Sequence, residues 1–257
     1  MGFSKYGPLD SSWKTVRGET WYNKNMFKDE CQVGILGGSF DPVHIGHLGL
    51  AQEIYEKFDL DRILFVPAFQ APHKKTAPLA SSTYRLEMLK VALKGSSHFS
   101  ISDKEIHRKE VSYTIDTLND LQIEFPNSKL FLIIGYDNLF KLDSWKDAFK
   151  IMKRYTIVVA SRPGMNLNFS EENILKMFKG HSPYISCKTI SENQEFYHQE
   201  TGSRLIICNI RPRDISSSLV REQLAQGKSM ENLLPREVER YIIEQKIYHS
   251  SLKFKPI

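Results

Sequence analysis

The sequence predicts an α/β fold, a doubly wound parallel sheet with helices on both faces. Two observations predict it. Apolar segments of strand length alternate along the 257 residues with segments whose apolar residues recur at helical spacing. The most apolar segments, ILFVPAF and LFLIIG, have the length of strands buried on both sides and are too short to span a membrane. Strands that alternate with helices form a parallel sheet covered by those helices.

The predicted strands are short apolar segments that begin at residue 32. In chain order they are QVGILGG, RILFVP, HFSIS, KLFLIIG, YTIVVAS and RLIICNI. Pro67 ends the second strand, because proline cannot donate a hydrogen bond to the sheet. KLFLIIG is the most apolar of the six, so we expect it near the centre of the sheet.

The predicted helices lie between and after these strands. They are LGLAQEIYEKF, 83–94, about Tyr113 to Phe125, 145–152 and two helices that close the chain. Ser216–Ser218 offer capping hydroxyls to the first of the last two helices, and Pro235 suits the first turn of the second.

The same pattern divides the chain. Residues 1–31 show no sustained period and are interpreted as an N-terminal extension, 32–249 as the domain, and 250–257 as a short tail. Residues 164–203 are interpreted as an irregular polar region within the domain. We find no internal repeat and no low-complexity linker.

Composition indicates an ordinary globular protein, with 41% hydrophobic and 25% charged residues. The net charge of +5 suits an anionic ligand, but without a basic run it gives little support to nucleic-acid binding. The three cysteines are scattered and form no CxxC pair, which favours a reducing compartment. The polar N-terminus lacks the apolar core of a signal peptide, so we expect a cytoplasmic protein without membrane contact.

The stretch GGSFDPVHIGH, at residues 37–47, follows the first predicted strand and is typical of a phosphate site. Gly37 and Gly38 let the backbone turn sharply and approach a ligand. The N–H groups of Ser39 and Phe40 could then face phosphate oxygens. IIGYD and ISSSLVR also follow predicted strands, so the three segments should meet at the carboxyl edge of the sheet.

His44 and His47 are three residues apart and share a face at the start of a helix, where anions are favoured. Zinc is the competing interpretation. The usual zinc-binding helix, however, places its histidines four apart with a glutamate between them, and no third ligand is evident nearby. The pattern therefore favours phosphate over metal, and Asp41 is interpreted as a structural hydrogen-bonding residue.

GGSFDPVHIGH resembles the HxGH signature of the nucleotidyltransferase superfamily, which class I aminoacyl-tRNA synthetases share. The longer context resembles the bacterial nicotinate-nucleotide adenylyltransferases over roughly residues 33–248. The further matching segments are VPAFQAPHKK, VSYTIDTL, LFLIIGYDNL, SW at 144–145, SRPG and ISSSLVREQL. The resemblance implies a Rossmann-like fold and a transferase of pyridine nucleotide (NAD) biosynthesis.

The reaction that the resemblance implies joins the adenylyl group of ATP to nicotinate mononucleotide, giving deamido-NAD and pyrophosphate. The attack is in line, without a covalent enzyme intermediate, and Mg²⁺ arrives with ATP rather than on protein ligands. The resemblance implies His44, His47 and Arg221 as catalytic residues.

The resemblance also implies residues that bind each substrate. On the ATP side they are Gly37, Gly38, Ser39, Phe40, Gly135, Asp137, Arg162, Ser217 and Ser218. On the mononucleotide side they are Lys74, Tyr113, Thr114 and Trp145, with the indole stacking on the pyridine ring. Arg85 matches a family position and is expected to support the site through a salt bridge. The chain departs from the family at Ala71, Tyr136 and Ser218, where proline, a small residue and threonine are usual.

Three alternatives stay open at this point. The first is a preference for nicotinamide mononucleotide, and the second is another acceptor, such as phosphopantetheine. The third is a non-catalytic nucleotide-binding protein. The sequence leaves the oligomeric state open, a homo-oligomer included.

Overall fold

The structure is a computed structural model that describes residues 31–72, 78–161, 184–190, 193–210 and 215–248, together with residues 170, 172 and 174. The predicted extension (apart from residue 31) and tail lie outside the described residues, as do Lys74 and Arg162.

One sheet of eight described strands forms the centre of the protein, in the order β3-β2-β1-β4-β5-β8-β7-β6. The strands are β1 (Gln32–Gly38), β2 (Arg62–Pro67), β3 (Phe99–Ile101), β4 (Lys129–Gly135), β5 (Thr156–Ala160), β6 (Tyr184–Ile190), β7 (Asn193–His198) and β8 (Arg204–Cys208). In this spatial order, neighbouring strands are parallel from β3 as far as β8. Strand β7 pairs antiparallel with both β8 and β6.

The described helices are α1 (Ile45–Lys57), α2 (Ser82–Leu93), α3 (Lys104–Arg108), α4 (Thr114–Glu124), α5 (Tyr136–Leu139), α6 (Ala148–Arg154), α7 (Ser217–Ala225) and α8 (Arg236–Glu244). A 3₁₀ turn at Leu142–Ser144 separates α5 from α6. No described helix is both long enough and apolar enough to cross a bilayer.

Helices cover both faces of the sheet, as the sequence predicts. Side chains alternate along β4, so that Leu132 belongs to one buried cluster and its neighbours Phe131 and Ile133 to a second. The first cluster contains residues of α4 and α6, and the second contains residues of α1, α2, α7 and α8. Below they are called the α4 core and the α1 core.

The strand order reverses between β1 and β4. From β1 the chain continues through β2 and β3 to one edge, and β4, β5 and β8 then extend the sheet in the other direction. Ligands of such sheets bind in the crevice that this reversal opens at the carboxyl ends of the strands. β4 lies beside that crevice, and its central position is confirmed.

The interpretation of residues 164–203 as irregular was wrong for its second half. Tyr184–Ile190 and Asn193–His198 form an antiparallel hairpin that extends the sheet beyond β8. The predicted pattern also lacked α3, and the helix predicted at 145–152 runs instead over Ala148–Arg154. Pro235 lies at the N-cap of α8, one residue before its first turn.

Candidate active site

The turn between β1 and α1 forms one wall of the crevice. A Cβ atom built on Gly37 would meet no other part of the described chain within 4 Å, and the same holds for Gly135 at the end of β4. Both glycines therefore border open space at the ends of neighbouring strands. At Gly38 a Cβ would lie 3.0 Å from the ring of Phe40, which folds back over the turn with φ of +48°.

His44 occupies the N-cap of α1 and is buried, with 4% of its surface exposed. Burial lowers the pKa of its imidazole to about 4, so the ring is neutral at pH 7. The rings of His44 and His47 stack with centroids 3.7 Å apart. The backbone N–H of His44 donates to Nδ1 of His47 at 3.3 Å, which fixes the second ring against the first.

Gly46 is necessary between the two histidines. A Cβ at this position would lie 3.0 Å from Nδ1 and 3.2 Å from Cε1 of His44. These approaches are tighter than ordinary van der Waals contact, so a side chain here would require the imidazole to shift by a few tenths of an ångström. This close approach to His44 explains why the HxGH pattern has glycine at its third position.

Helix α7 brings its first turn against this turn from far along the chain. Ser216 caps the helix by accepting from the N–H of Leu219 at 3.1 Å, which confirms the predicted capping. The hydroxyl of Ser217 donates to the carbonyl of Pro42 at 3.0 Å. Arg221 donates through Nη1 to the carbonyl of Asp41 at 2.6 Å and through Nη2 to the hydroxyl of Ser218 at 3.2 Å.

Asp41 connects several parts of the site. Its carboxylate accepts from the backbone N–H groups of Leu79, at 2.9 Å, and Ala80, at 3.1 Å. It also accepts from the hydroxyl of Tyr248 at 2.8 Å and lies 3.7 Å from Nη1 of Arg221. With 5% of its surface exposed, Asp41 is a buried structural acceptor, as the sequence indicated.

Arg85 supports the same turn from α2. Its guanidinium is buried and donates to the carbonyl of Ser39 at 2.7 Å and to that of Phe69 at 3.4 Å. Burial lowers its pKa, and the charge of Asp41 opposes that shift. The expected salt bridge is thus replaced by hydrogen bonds to two carbonyls, with Asp41 acting only through its electrostatic field.

Tyr113 and Thr114 lie at the start of α4, with Tyr113 at the N-cap. This helix start is tied to the segment that follows β2. The N–H of Ser112 donates to the carbonyl of Gln70 at 2.9 Å, and the Ser112 hydroxyl accepts from the N–H of Phe69 at 3.0 Å. The segment that leads toward residue 74 is therefore fixed beside Tyr113.

Glu105 reinforces this connection from α3. It is 7% exposed, and the hydroxyl of Thr117 donates to its carboxylate at 2.5 Å. Burial raises the pKa of Glu105, whereas hydrogen bonds from Thr117 and Ser112 and the charge of Arg108 act in the opposite direction. A buried carboxyl group thus holds both flanks of the Tyr113 segment.

Trp145 follows the 3₁₀ turn and packs half-buried against the α4 core, as do Tyr113 and Tyr136. Next to it, Nζ of Lys146 lies 4.8 Å from the ring centroid of Tyr113 and 2.8 Å from an oxygen of Asp116. These contacts place Trp145 and Tyr113 on one side of the crevice.

The ATP-side residues of β4 lie at the switch point, because Gly135 ends the strand as the N-cap of α5 and Asp137 is exposed on the first turn. No group of three or more His, Cys, Asp or Glu side chains could hold a metal ion within the part of the chain that the structure describes.

Sequence reasoning missed Tyr248 and the carbonyl of Leu233, which accepts from the N–H of Ile45 at 3.0 Å. Neither belongs to a motif. The single signal in the sequence is a tyrosine shortly after the last amphipathic helix, which by itself indicates core packing.

Comparison with known proteins gives consistent matches. The family model described as cytidylyltransferase-like matches residues 35–223. A "probable nicotinate-nucleotide adenylyltransferase" of Geotalea daltonii is 38% identical over 221 residues, covering 85% of this chain and 98% of the relative. One of the same name from Dehalococcoides mccartyi is 36% identical over 219 residues, covering 85% of this chain and 97% of the relative.

Among solved structures, the nicotinic acid mononucleotide adenylyltransferase of Plasmodium falciparum, complexed with NaAD, superposes with a TM-score of 0.63 at 21% identity. The match covers 86% of this chain and 98% of the other. A likeness at this identity supports the shared fold.

Proposed function

Because this chain belongs to the nicotinate-nucleotide adenylyltransferases, within the cytidylyltransferase-like family, we propose that it transfers the adenylyl group of ATP to nicotinate mononucleotide. The products are deamido-NAD and pyrophosphate, and the reaction is a step of NAD biosynthesis. The observation that carries the proposal is the contact of the α7 start with the histidine turn, beside two open strand ends.

The chemistry is an in-line displacement at phosphorus. A phosphate oxygen of the mononucleotide attacks the α-phosphorus of ATP, and the bond to the bridging oxygen of the β-phosphate breaks as pyrophosphate leaves. No side chain is needed as a nucleophile. Alignment of the two substrates can supply about 7–11 kcal/mol of the barrier reduction, and hydrogen-bond donors aimed at the reacting phosphates supply most of the rest.

His44 and His47 serve as donors to the ATP phosphates in this proposal. The neutral ring of His44 retains one N–H, which can donate to a phosphate oxygen without carrying a charge into the buried turn. The N–H groups of Ser39 and Phe40 and the open faces at Gly37 and Gly38 allow the triphosphate to approach the backbone.

Arg221 and the first turn of α7 hold the β and γ phosphates. The first N–H groups of a helix have no partner within that helix, so those of Ser217 and Ser218 suit an anion. Since the Ser217 hydroxyl already donates to Pro42, we assign the backbone rather than the hydroxyl of Ser217 to ATP. The Arg221 guanidinium has five donors, of which one on each Nη is used within the turn.

The remaining ATP contacts are assigned to the switch point. Gly135 leaves room for the ribose or adenine, and Asp137 can accept from ribose hydroxyls. Arg162, outside the described residues, is assigned to the same side. The half-buried ring of Tyr136 follows Gly135, packs against the α4 core and meets Phe140 edge-on at 5.0 Å between centroids.

Tyr113, Thr114 and Trp145 bind the acceptor on the other side of the crevice. Backbone N–H groups at the start of α4 suit the nicotinate carboxylate, and the Trp145 indole suits the electron-poor pyridine ring. Lys74, outside the described residues, is assigned to the mononucleotide phosphate, because it follows the segment that Ser112 fixes beside Tyr113.

Mg²⁺ enters as MgATP, and substrate phosphates and water supply most of its ligands. We further propose that residues 32–249 form the catalytic domain, with the extension and the tail outside it. We assign the reaction to the cytoplasm, a compartment that suits the buried thiols of Cys31 and Cys208.

The proposal is tested by measuring pyrophosphate release from MgATP with nicotinate mononucleotide, nicotinamide mononucleotide and phosphopantetheine side by side. We expect the highest kcat/KM with nicotinate mononucleotide. His44→Ala and His47→Ala should each lower kcat by about 10²–10³-fold, the usual cost of removing a donor from a developing charge. His98→Ala, which removes an imidazole stacked on Tyr55 away from the turn, serves as control.

Other outcomes identify the alternatives. Protein that binds ATP and releases no pyrophosphate with any acceptor would be a nucleotide-binding protein. Preference for nicotinamide mononucleotide or for phosphopantetheine would change the acceptor and leave the adenylyl transfer intact. Near-normal rates in both histidine variants would contradict the phosphate role.

A further inference from the structure

We propose that Tyr248, after the last helix of the domain, is a positioning residue for adenylyl transfer, because its hydroxyl holds the Asp41 carboxylate and through it the turn of His44. The inference rests on the proposed function. Tyr248 touches neither His44 nor Arg221 through a described hydrogen bond, and it acts through Asp41.

The contact is buried and joins distant parts of the chain. The hydroxyl of Tyr248 donates to Oδ1 of Asp41 at 2.8 Å across 207 residues of sequence. Tyr248 is 9% exposed and Asp41 is 5% exposed, so water competes little for this hydrogen bond. Its acceptor is a carboxylate, and such bonds are stronger than neutral ones.

The backbone after α8 adopts unusual conformations where it brings the Tyr248 hydroxyl to Asp41. Lys246 and Tyr248 both adopt left-handed conformations, with φ of +50° and +68°. Such conformations are costly for residues other than glycine and persist where surrounding contacts compensate. The Tyr248 ring packs in the α1 core and its hydroxyl bonds to Asp41, which are contacts of that kind.

Asp41 connects Tyr248 with the residues that are proposed to bind ATP. Its side chain is held by Tyr248 and by the N–H groups that precede α2, while its carbonyl accepts from Arg221 at 2.6 Å. The next carbonyl, that of Pro42, accepts from Ser217. Because these side-chain bonds fix residue 41 in place, loss of one of them would loosen the backbone whose carbonyls accept from Arg221 and Ser217.

Asp41 is a buried carboxylate among other charged groups, so the donors that hold it determine its position. Asp41 lies beside Arg221 at 3.7 Å, and its field also reaches the buried Arg85. Burial and the neighbouring carboxylate raise the pKa of Tyr248 well above its ordinary value, with Arg221 and Arg85 opposing the shift. The phenol therefore stays protonated and remains a donor throughout the range in which the enzyme is assayed.

Tyr248→Phe isolates the hydroxyl, because phenylalanine keeps the ring in the α1 core. We expect kcat to fall about tenfold, as befits loss of one bond to a buried charge, while KM for each substrate changes less than about twofold. Tyr241→Phe is the matched control. It removes a phenol from α8 that packs against the same core but has no described contact with the turn, so kcat should stay unchanged.

A double-mutant cycle with Asp41→Ala, which removes the acceptor of the Tyr248 hydroxyl, tests the route of the effect. If Tyr248 acts through Asp41, Tyr248→Phe should lower kcat much less in the Asp41→Ala background than in the native chain. A lower Tm with unchanged kcat in Tyr248→Phe would overturn the inference. A double variant whose fold-loss of kcat equals the product of the two single losses would also overturn it.

Amide hydrogen exchange over residues 39–48 separates this inference from the proposed function, because it needs no turnover. The N–H of Ile45, bonded to Leu233, and that of His47 should exchange faster in Tyr248→Phe and not in Tyr241→Phe. Failure of the native chain to turn over any acceptor would overturn the proposed function, whereas unchanged exchange would overturn the role of Tyr248.

Discussion

At the scale of a single residue, His44 shows how burial sets the chemistry of the turn. Its imidazole is neutral at pH 7, because desolvation lowers its pKa from 6.5 to about 4. His44 therefore presents a neutral N–H donor to the incoming phosphates. In the proposed complex, ATP phosphates facing the ring would favour its charged form and raise the pKa again.

The lowered pKa of His44 predicts a pH-dependent stability. Above about pH 6.5 the ring is neutral in both the folded and the unfolded chain. As pH falls toward 4, the unfolded chain binds a proton that the folded chain does not, so the free energy of unfolding decreases. A pKa lowered from 6.5 to about 4 corresponds to roughly 3 kcal/mol of folding free energy.

His44→Gln should flatten this part of the profile, measured by urea unfolding at several values between pH 7 and pH 4. A slope unchanged by His44→Gln would mean that other groups cause the acid instability.

At the scale of an element, helix α1 contains a matched pair of glycines. A Cβ at Gly46 would lie 3.0 Å from Nδ1 of His44, whereas a Cβ at Gly49 would meet nothing within 4 Å. Both substitutions by alanine raise helix propensity by up to about 1 kcal/mol. The two variants therefore differ mainly in whether the new methyl group displaces His44.

We predict that Gly46→Ala lowers kcat by about 10- to 100-fold, because a small misplacement of a positioning group has a large effect on rate. Gly49→Ala should keep native kcat and unfold at a slightly higher temperature. Thermal unfolding and pyrophosphate release measured on the same preparations check both statements. Equal rates in the two variants would show that the position of His44 does not matter.

How far the elements could be predicted depends on how their residues are buried. Strands β2 and β4 were predicted because they are almost wholly apolar. Strand β7 escaped prediction because three of its buried residues, Asn193, Glu195 and His198, are polar. Helix α3 has five residues, too few to show a period.

Some residues of the candidate site could be predicted from the sequence and others could not. Residues within motifs, such as His44 and Arg221, could be selected from the sequence, and the structure brings the two segments that carry them together. Tyr248 could not be selected, because its role depends on a contact with Asp41 across 207 residues. A contact of that separation leaves no local pattern.

At the scale of the whole molecule, the sheet separates the two proposed substrate sides. The turn of Phe40 and Val43 packs into the α1 core, and Tyr113 and Trp145 pack against the α4 core on the other face. The two sides meet at the carboxyl edge, where the strand order reverses. Substitution of a residue that packs on one face of the sheet should therefore change KM for one substrate more than for the other.

Trp145→Ala tests this separation. Stacking of an aromatic ring on a side chain such as the indole contributes about 1–3 kcal/mol, so KM for nicotinate mononucleotide should rise about 5- to 100-fold. KM for ATP should change less than about threefold, since the ATP phosphates bind to groups anchored in the α1 core. Initial rates over a matrix of both substrate concentrations give the two constants together.

Phe149→Ala provides the matched truncation, because this ring of α6 is 51% exposed and follows Trp145 by four residues. It should leave both KM values near native. If Trp145→Ala raised the two KM values equally, the indole would serve only to pack the α4 core, and the acceptor would have to bind elsewhere along the edge. A selective rise for the acceptor would instead tie the chemistry to the topology, because each face of one sheet would orient one substrate.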